Sequence, residues 1–318
     1  MDVKRIGGIH AVLYALFDAD EQLDRDAMRR QTQAVIGAGV AGVTVLGLAT
    51  EVGKLSPVER SRLMGWAAED VGGRAPLSIT INGASVAEQI DQLQAAEAAG
   101  ADWLILQPPS VGTYPPAEYI EFFARVADAA ARPVAIQNAP AYFGRGLTAT
   151  EIATLFARQP NFQLIKGEGS AVEIAGLIDG LRPGVPVFNG RGGLELTDNL
   201  RAGCAGMILA PELVDHAAQV YARFRAGDEA GAEQLYSKLL PAIVFVMQSL
   251  EDLAMYGKRL FAARAGLGPV FDRAPSARPT PFGLAAVDRF AASLGPFAGP
   301  DAAQAITNSV GTRASRSK

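Results

Sequence analysis

Cysteine and histidine are nearly missing from this chain: Cys204 is the single cysteine, and His10 and His216 are the two histidines in 318 residues. One thiol cannot close an internal disulfide, and two imidazoles leave no histidine cluster for a metal, so neither a disulfide framework nor zinc chemistry is expected and no cofactor is called for. His10 and Cys204 are assigned to packing. Basic charge is short too. A net charge of −4 and a pI near 5.4 leave no basic patch for nucleic acid or an anionic membrane, so neither is expected as a partner. The longest apolar run, "AVIGAGVAGVTVLGLA" at residues 34–49, is broken by Gly37, Gly39, Gly42 and Gly47 and splits into a helix end and a strand. The opening "MDVKRIGGIH" lacks the unbroken apolar core of a signal peptide, so the expected location is the cytoplasm.

What is present suffices for a sizeable core: 49% of the residues are apolar and only 19% are charged. Apolar, β-branched runs recur at residues 9–16, 42–47, 77–82, 102–107, 133–138, 162–166, 186–190 and 206–210. Between them lie segments such as "SVAEQIDQLQAAEAAG" (85–100) and "TATEIATLFARQ" (148–159), with apolar residues at helical spacing and Ser or Thr where a helix cap is wanted. Strands alternating with helices of this length imply right-handed βαβ units and a parallel sheet. Eight units predict a closed (β/α)8 TIM barrel over residues 1–228, with a helical C-terminal extension at 229–298 and a frayed tail at 299–318.

Barrel enzymes build their sites from the C-terminal ends of the strands and the loops that follow. Here those ends include "GLATE", "QPPS", "QNAP", "KGEGS", "NGRGG" and "LAPE". Lys166 stands out among six lysines, because it terminates an apolar strand whereas the other five fall in termini, loops or helix-like stretches. Period-2 alternation puts it on the side of Leu164 and Glu168, so amine and carboxylate face the barrel mouth together. An amine attacks a ketone only when uncharged; an apolar mouth favours that form and a neighbouring carboxylate opposes it. Taken alone, such a lysine is better explained by a structural ion pair with Glu168 or Glu51 than by chemistry.

The wider pattern resembles the dihydrodipicolinate synthase and N-acetylneuraminate lyase family of Schiff-base aldolases. The likeness covers nearly the whole chain and rests on "GLATEVGKLSPVER", "AAEAAGAD", "QNAP", "IKGEGS" and "RAGCAGMI" in that order. It implies that Lys166 forms an imine with the C2 ketone of pyruvate or another 2-keto acid, that Ile208 touches the substrate, and that the protein assembles as a homotetramer.

Departures from the family pattern bear on the substrate. The family's proton-relaying tyrosine falls at Gln137, and an amide is no general acid. The hydroxyl pair of its Gly-Thr-Thr-Gly-Glu segment falls at Leu48 and Ala49, after Gly47, with Thr50 in place of the following glycine. A second relay tyrosine falls near Ser110. The arginine that binds an amino-acid aldehyde falls at Tyr142, which argues against aspartate-semialdehyde condensation. The 2-keto-3-deoxy sugar-acid dehydratases, such as L-2-keto-3-deoxyarabonate dehydratase, are a closer match. This chain departs from them as well, with Asn138 in place of an aspartate and one residue more between Lys166 and its glutamate.

The expected catalytic set is therefore Lys166, with Glu168 as proton carrier or as a salt bridge that positions the lysine, and Gln137 as a partner for a substrate hydroxyl or as a satisfied core amide. Gly47, Leu48, Ala49, Thr50, Ser110, Asn189, Gly190, Arg191 and Ile208 are the candidate substrate contacts. Arg191 and the backbone of "NGRGG" suit a carboxylate, although a tight turn also accounts for those glycines. Glu51 reads as a helix cap or subunit bridge, and Tyr14 as core packing more than pocket lining. Three functions remain open: a lyase that dehydrates or cleaves a 2-keto-3-deoxy sugar acid, a pyruvate-dependent aldolase or synthase with a rewired relay, and a keto-acid-binding barrel without turnover.

Overall fold

Eight parallel strands close on themselves in chain order in the computed structural model, which describes residues 6–299. They are β1 (Gly8–Val12), β2 (Gly42–Val45), β3 (Leu77–Ile81), β4 (Trp103–Leu106), β5 (Val134–Asn138), β6 (Phe162–Gly167), β7 (Val187–Asn189) and β8 (Gly206–Leu209), with β8 pairing back onto β1 through His10 and Ile208. Every expected apolar run holds a strand, and helices separate them as a (β/α)8 TIM barrel requires.

The strands are buried along almost their whole length because helices cover the outside and side chains fill the interior. His10 sits inside that interior, edge-on to Trp103 and Phe188 with ring centroids 5.9 and 5.1 Å away, and burial pushes its imidazole down to about 4. Cys204 is likewise buried, which pushes its thiol up to about 12.

The caps fall where the sequence places them. Ser85 accepts from the Glu88 amide, and Thr148 and Glu151 form a reciprocal capping box. Two strands end two or more residues short of their apolar runs. β1 stops at Val12 because the backbone beyond it turns to the helix Arg25–Gly37: the Tyr14 amide donates to Gln31, and Leu16 lies against Met28. β2 stops at Val45 because Leu46 takes a left-handed conformation, φ 63°.

Beyond the barrel, the helices Glu229–Val246 and Lys258–Ala265 pack back over its mouth, joined through a π-helical turn at Leu253–Gly257. Among the described residues no single helix is long and apolar enough to cross a membrane. The tail beyond residue 299, expected to be frayed, lies outside the described residues.

Candidate active site

β6 carries Lys166 one residue from its C-terminal end, opposite Gln137 of β5 and Phe188 of β7. Its side chain is only 3% exposed, and Nζ lies 3.2 Å from Oε1 of Glu168. The alternation argument is thus realised in space: residues 166 and 168 face one way and meet.

Glu168 is more tightly held than the lysine. Oε1 also receives the Gln137 side-chain amide at 3.2 Å, and Oε2 receives the backbone N–H of Arg191 at 2.8 Å. A carboxylate offers only acceptors when ionised, and this one is surrounded by donors. Gly190 makes room for it, since a Cβ there would come within 2.2 Å of Oε2.

The amine and carboxylate line a small cavity of about 30 Å³ together with Leu48, Ala49, Tyr142, Arg191 and Ile208. Val12, Gly192 and Ala210 complete its barrel side, and Met247, Leu250 and Leu253 close it from the C-terminal helices. Leu48 and Ala49 are presented by a single 3-10 turn that Gly47 opens; a side chain at Gly47 would press Val12 at 2.8 Å. Thr50 does not face the cavity. Its hydroxyl donates to the Leu13 carbonyl at 2.6 Å and holds the turn onto the end of β1.

Asn189 is a structural anchor, donating to the Gly169 carbonyl and to Asn199 while accepting from the Gly190 amide. Arg191 enters the cavity with a left-handed backbone, φ 53°, and pairs at 2.9 Å with Glu195. Ser110 is exposed, lies outside the cavity lining, and donates its amide to Gly83. Gln137 is buried with both ends of its amide engaged, one by Glu168 and one by Gln107.

Several groups in or next to the site were not among the candidate contacts. Tyr142, read from sequence only as a replaced arginine, stands on the short helix Pro140–Phe143 and reaches the cavity. Burial, aided by the Glu168 charge and opposed by Arg191, raises its phenol above the ordinary tyrosine value, so it remains an O–H donor. Gln107 ends the β4 run and is buried next to Gln137, 2.9 Å from its carbonyl oxygen. The signal for it was the same as for Lys166, a polar residue closing an apolar run. Met247, Leu250 and Leu253 carried no such signal, because apolar residues in a helical segment read as ordinary core.

Tyr14 packs behind this site in the core, donating to Glu212 Oε2 at 2.6 Å. Glu51 is tied to Lys54 at 2.5 Å and to the buried Lys258. Among the described residues no three His, Cys, Asp or Glu side chains gather as a metal-holding group.

A strand-end lysine and its carboxylate in a closed parallel barrel agree with the chain's known relatives. The dihydrodipicolinate synthetase family profile matches residues 5–254. The chain belongs to that family. It is 29% identical over 264 residues to the probable 2-dehydro-3-deoxy-D-pentonate aldolase YjhH of Escherichia coli, covering 80% of this chain and 87% of that one. It is 29% identical over 245 residues to the L-2-keto-3-deoxyarabonate dehydratase of Azospirillum brasilense, covering 74% and 78%. Among solved structures, YagE of E. coli, a family member crystallised with pyruvate, superposes with a TM-score of 0.85 at 26% identity over 91% of this chain and 98% of its own. The protein is a lyase of this family, whose relatives are named as aldolases, dehydratases and synthases.

Proposed function

We propose that the protein forms an imine between Lys166 and the C2 ketone of a 2-keto-3-deoxy sugar acid and then dehydrates or cleaves it. The observation that carries this reading is the buried Lys166 amine at the cavity wall, 3.2 Å from the Glu168 carboxylate. The relatives' named substrates support the compound class, and the chemistry of the wall supports the steps.

Nζ adds to C2 and water departs, leaving an iminium that draws electrons from C3. Glu168, seated beside the amine, accepts the C3 proton, and the C3–H electron pair forms an enamine. In a dehydration that pair expels the C4 hydroxyl, which takes a proton and leaves as water. In an aldol cleavage the C4 hydroxyl gives up its proton instead, the C3–C4 bond breaks, and its electrons enter the iminium; the products are an aldehyde and the enamine of pyruvate. Tyr142, an O–H donor lining the cavity, serves the C4 hydroxyl, and Arg191, also lining it, serves as the cation for the C1 carboxylate. After cleavage the pyruvate enamine takes a proton at C3 and returns to the iminium; in either branch water then hydrolyses the imine and frees Lys166.

The same proposal makes the enzyme a cytoplasmic homotetramer, by family resemblance. It also takes residues 1–228 as the barrel and 229–298 as an extension that closes the site.

Borohydride reduction in the presence of pyruvate tests the central step. The expected result is one reduced pyruvyl adduct, located on Lys166 by peptide mass analysis and lost in Lys166→Ala. Turnover of a 2-keto-3-deoxy pentonate or hexonate accompanies it. An adduct without turnover of any such acid identifies a keto-acid-binding barrel, and an active Lys166→Ala overturns the mechanism.

A further inference from the structure

Gln107, Gln137 and Lys166 stand side by side at the C-terminal ends of three adjacent strands. Gln137 is paired with Lys166 between β5 and β6, and Gln107 follows directly on the Leu106–Ile136 pair between β4 and β5. Their side chains make one buried file: the Gln107 amide donates to the Gln137 carbonyl oxygen at 2.9 Å, the Gln137 amide donates to Glu168 Oε1 at 3.2 Å, and the same oxygen lies 3.2 Å from Lys166 Nζ.

The direction of this file is not free. A carboxamide has a donor end and an acceptor end, and turning it end for end exchanges them without changing its shape. If Gln137 turned, its carbonyl oxygen would face Glu168 and two acceptors would oppose each other in a buried place, an arrangement tolerated only when the carboxyl carries a proton. Gln107 prevents the turn by offering its N–H to the oxygen of Gln137. The main chain of Gln107 is held in place, which sets where its side chain starts: its backbone amide donates to the Ile81 carbonyl at 3.0 Å, and its backbone carbonyl receives the side chain of the buried Gln89 at 3.0 Å.

We infer that Gln107 is a positioning residue which, through Gln137, holds Glu168 in the proton-accepting state beside Lys166. The inference rests on the imine reading of Lys166. It assigns Gln107 no contact with substrate, and it gives Gln137 a part that its sequence position alone did not suggest.

Two variants separate direction from shape. Gln107→Glu keeps size and removes the donor, so its carboxylate would accept from the Gln137 amide and turn the Gln137 oxygen toward Glu168. Gln107→Met removes the donor without adding charge. Pyruvate trapping by borohydride, measured against pH at saturating pyruvate and alongside a thermal melt, is the readout.

The wild type is expected to trap on Lys166. In Gln107→Glu the acidic limb of the trapping profile moves up by about one pH unit, and in Gln107→Met the trapping rate falls roughly ten- to hundredfold with the pyruvate concentration for half-saturation little changed. A Gln107→Glu profile that superimposes on the wild type overturns the inference and leaves the lysine reading intact. No adduct in the wild type overturns the lysine reading, and the inference falls with it. Where Gln107→Glu does not fold, Gln107→Met decides: a wild-type rate per folded molecule overturns the inference, and the stated fall supports it.

Discussion

Lys258 and Glu51 form a buried ion pair that fastens the C-terminal helices to the loop after β2. Glu51 lies directly after the turn that presents Leu48 and Ala49 to the cavity, and its own backbone is left-handed, φ 54°. Lys258 is 1% exposed, and burial holds its ammonium below the ordinary lysine value against the opposing pull of Glu51. Its Nζ also stands 5.1 Å above the Phe17 ring.

Removing one member of such a pair strands the other away from water, whereas replacing both with apolar groups removes two desolvation costs together. Lys258→Met is therefore expected to cost about 3 kcal/mol of stability, the low end of the usual range because Glu51 keeps Lys54. The double variant Lys258→Met with Glu51→Leu should recover most of that loss. Urea melts of the single and double variants check it; a double variant as unstable as the sum of its singles would contradict the account.

Gly190 has a different task, since no larger residue leaves room for the Glu168 carboxylate. In Gly190→Ala the carboxylate must swing away from Lys166 and from the Arg191 amide. Activity on the natural substrate, and the rate of pyruvate trapping, should fall roughly a hundredfold. A crystal structure of the variant should show the distance between Lys166 Nζ and Glu168 Oε1 lengthened.

Glu212 predicts a pH dependence of stability. Burial raises its carboxyl from 4.5 to about 7, partly offset by the Tyr14 hydrogen bond. The folded state therefore holds a proton that the unfolded chain gives up at lower pH. Stability from this source is full below the unfolded value of 4.5 and is lost as pH rises through about 7. The whole span is worth about 3 kcal/mol. Glu212→Gln abolishes the titration, so denaturant midpoints at about pH 5 and about pH 8 should lie closer together than in the wild type.

Much of this was legible in the linear chain because the relevant signals are local. Strand-length apolar runs, hydroxyl caps three residues ahead of a glutamate, and a strand period of two act over a few residues, and they placed all eight strands and the facing of Lys166 and Glu168. The family likeness came from motifs of the same local kind, read in order.

What the chain alone could not supply is convergence. Tyr142, Gln107, Met247, Leu250 and Leu253 come from three separate stretches and are brought together only because the barrel closes and the C-terminal helices fold back across its mouth. Lys258 was only one of five lysines in termini, loops or helix-like stretches, and Thr50 and Asn189 looked like ligand contacts, until tertiary packing gave the lysine an acid and the other two their backbone partners. Sequence periodicity determines which face a side chain takes on its own element; which partner waits there depends on how remote elements pack, and only the closed barrel decides that.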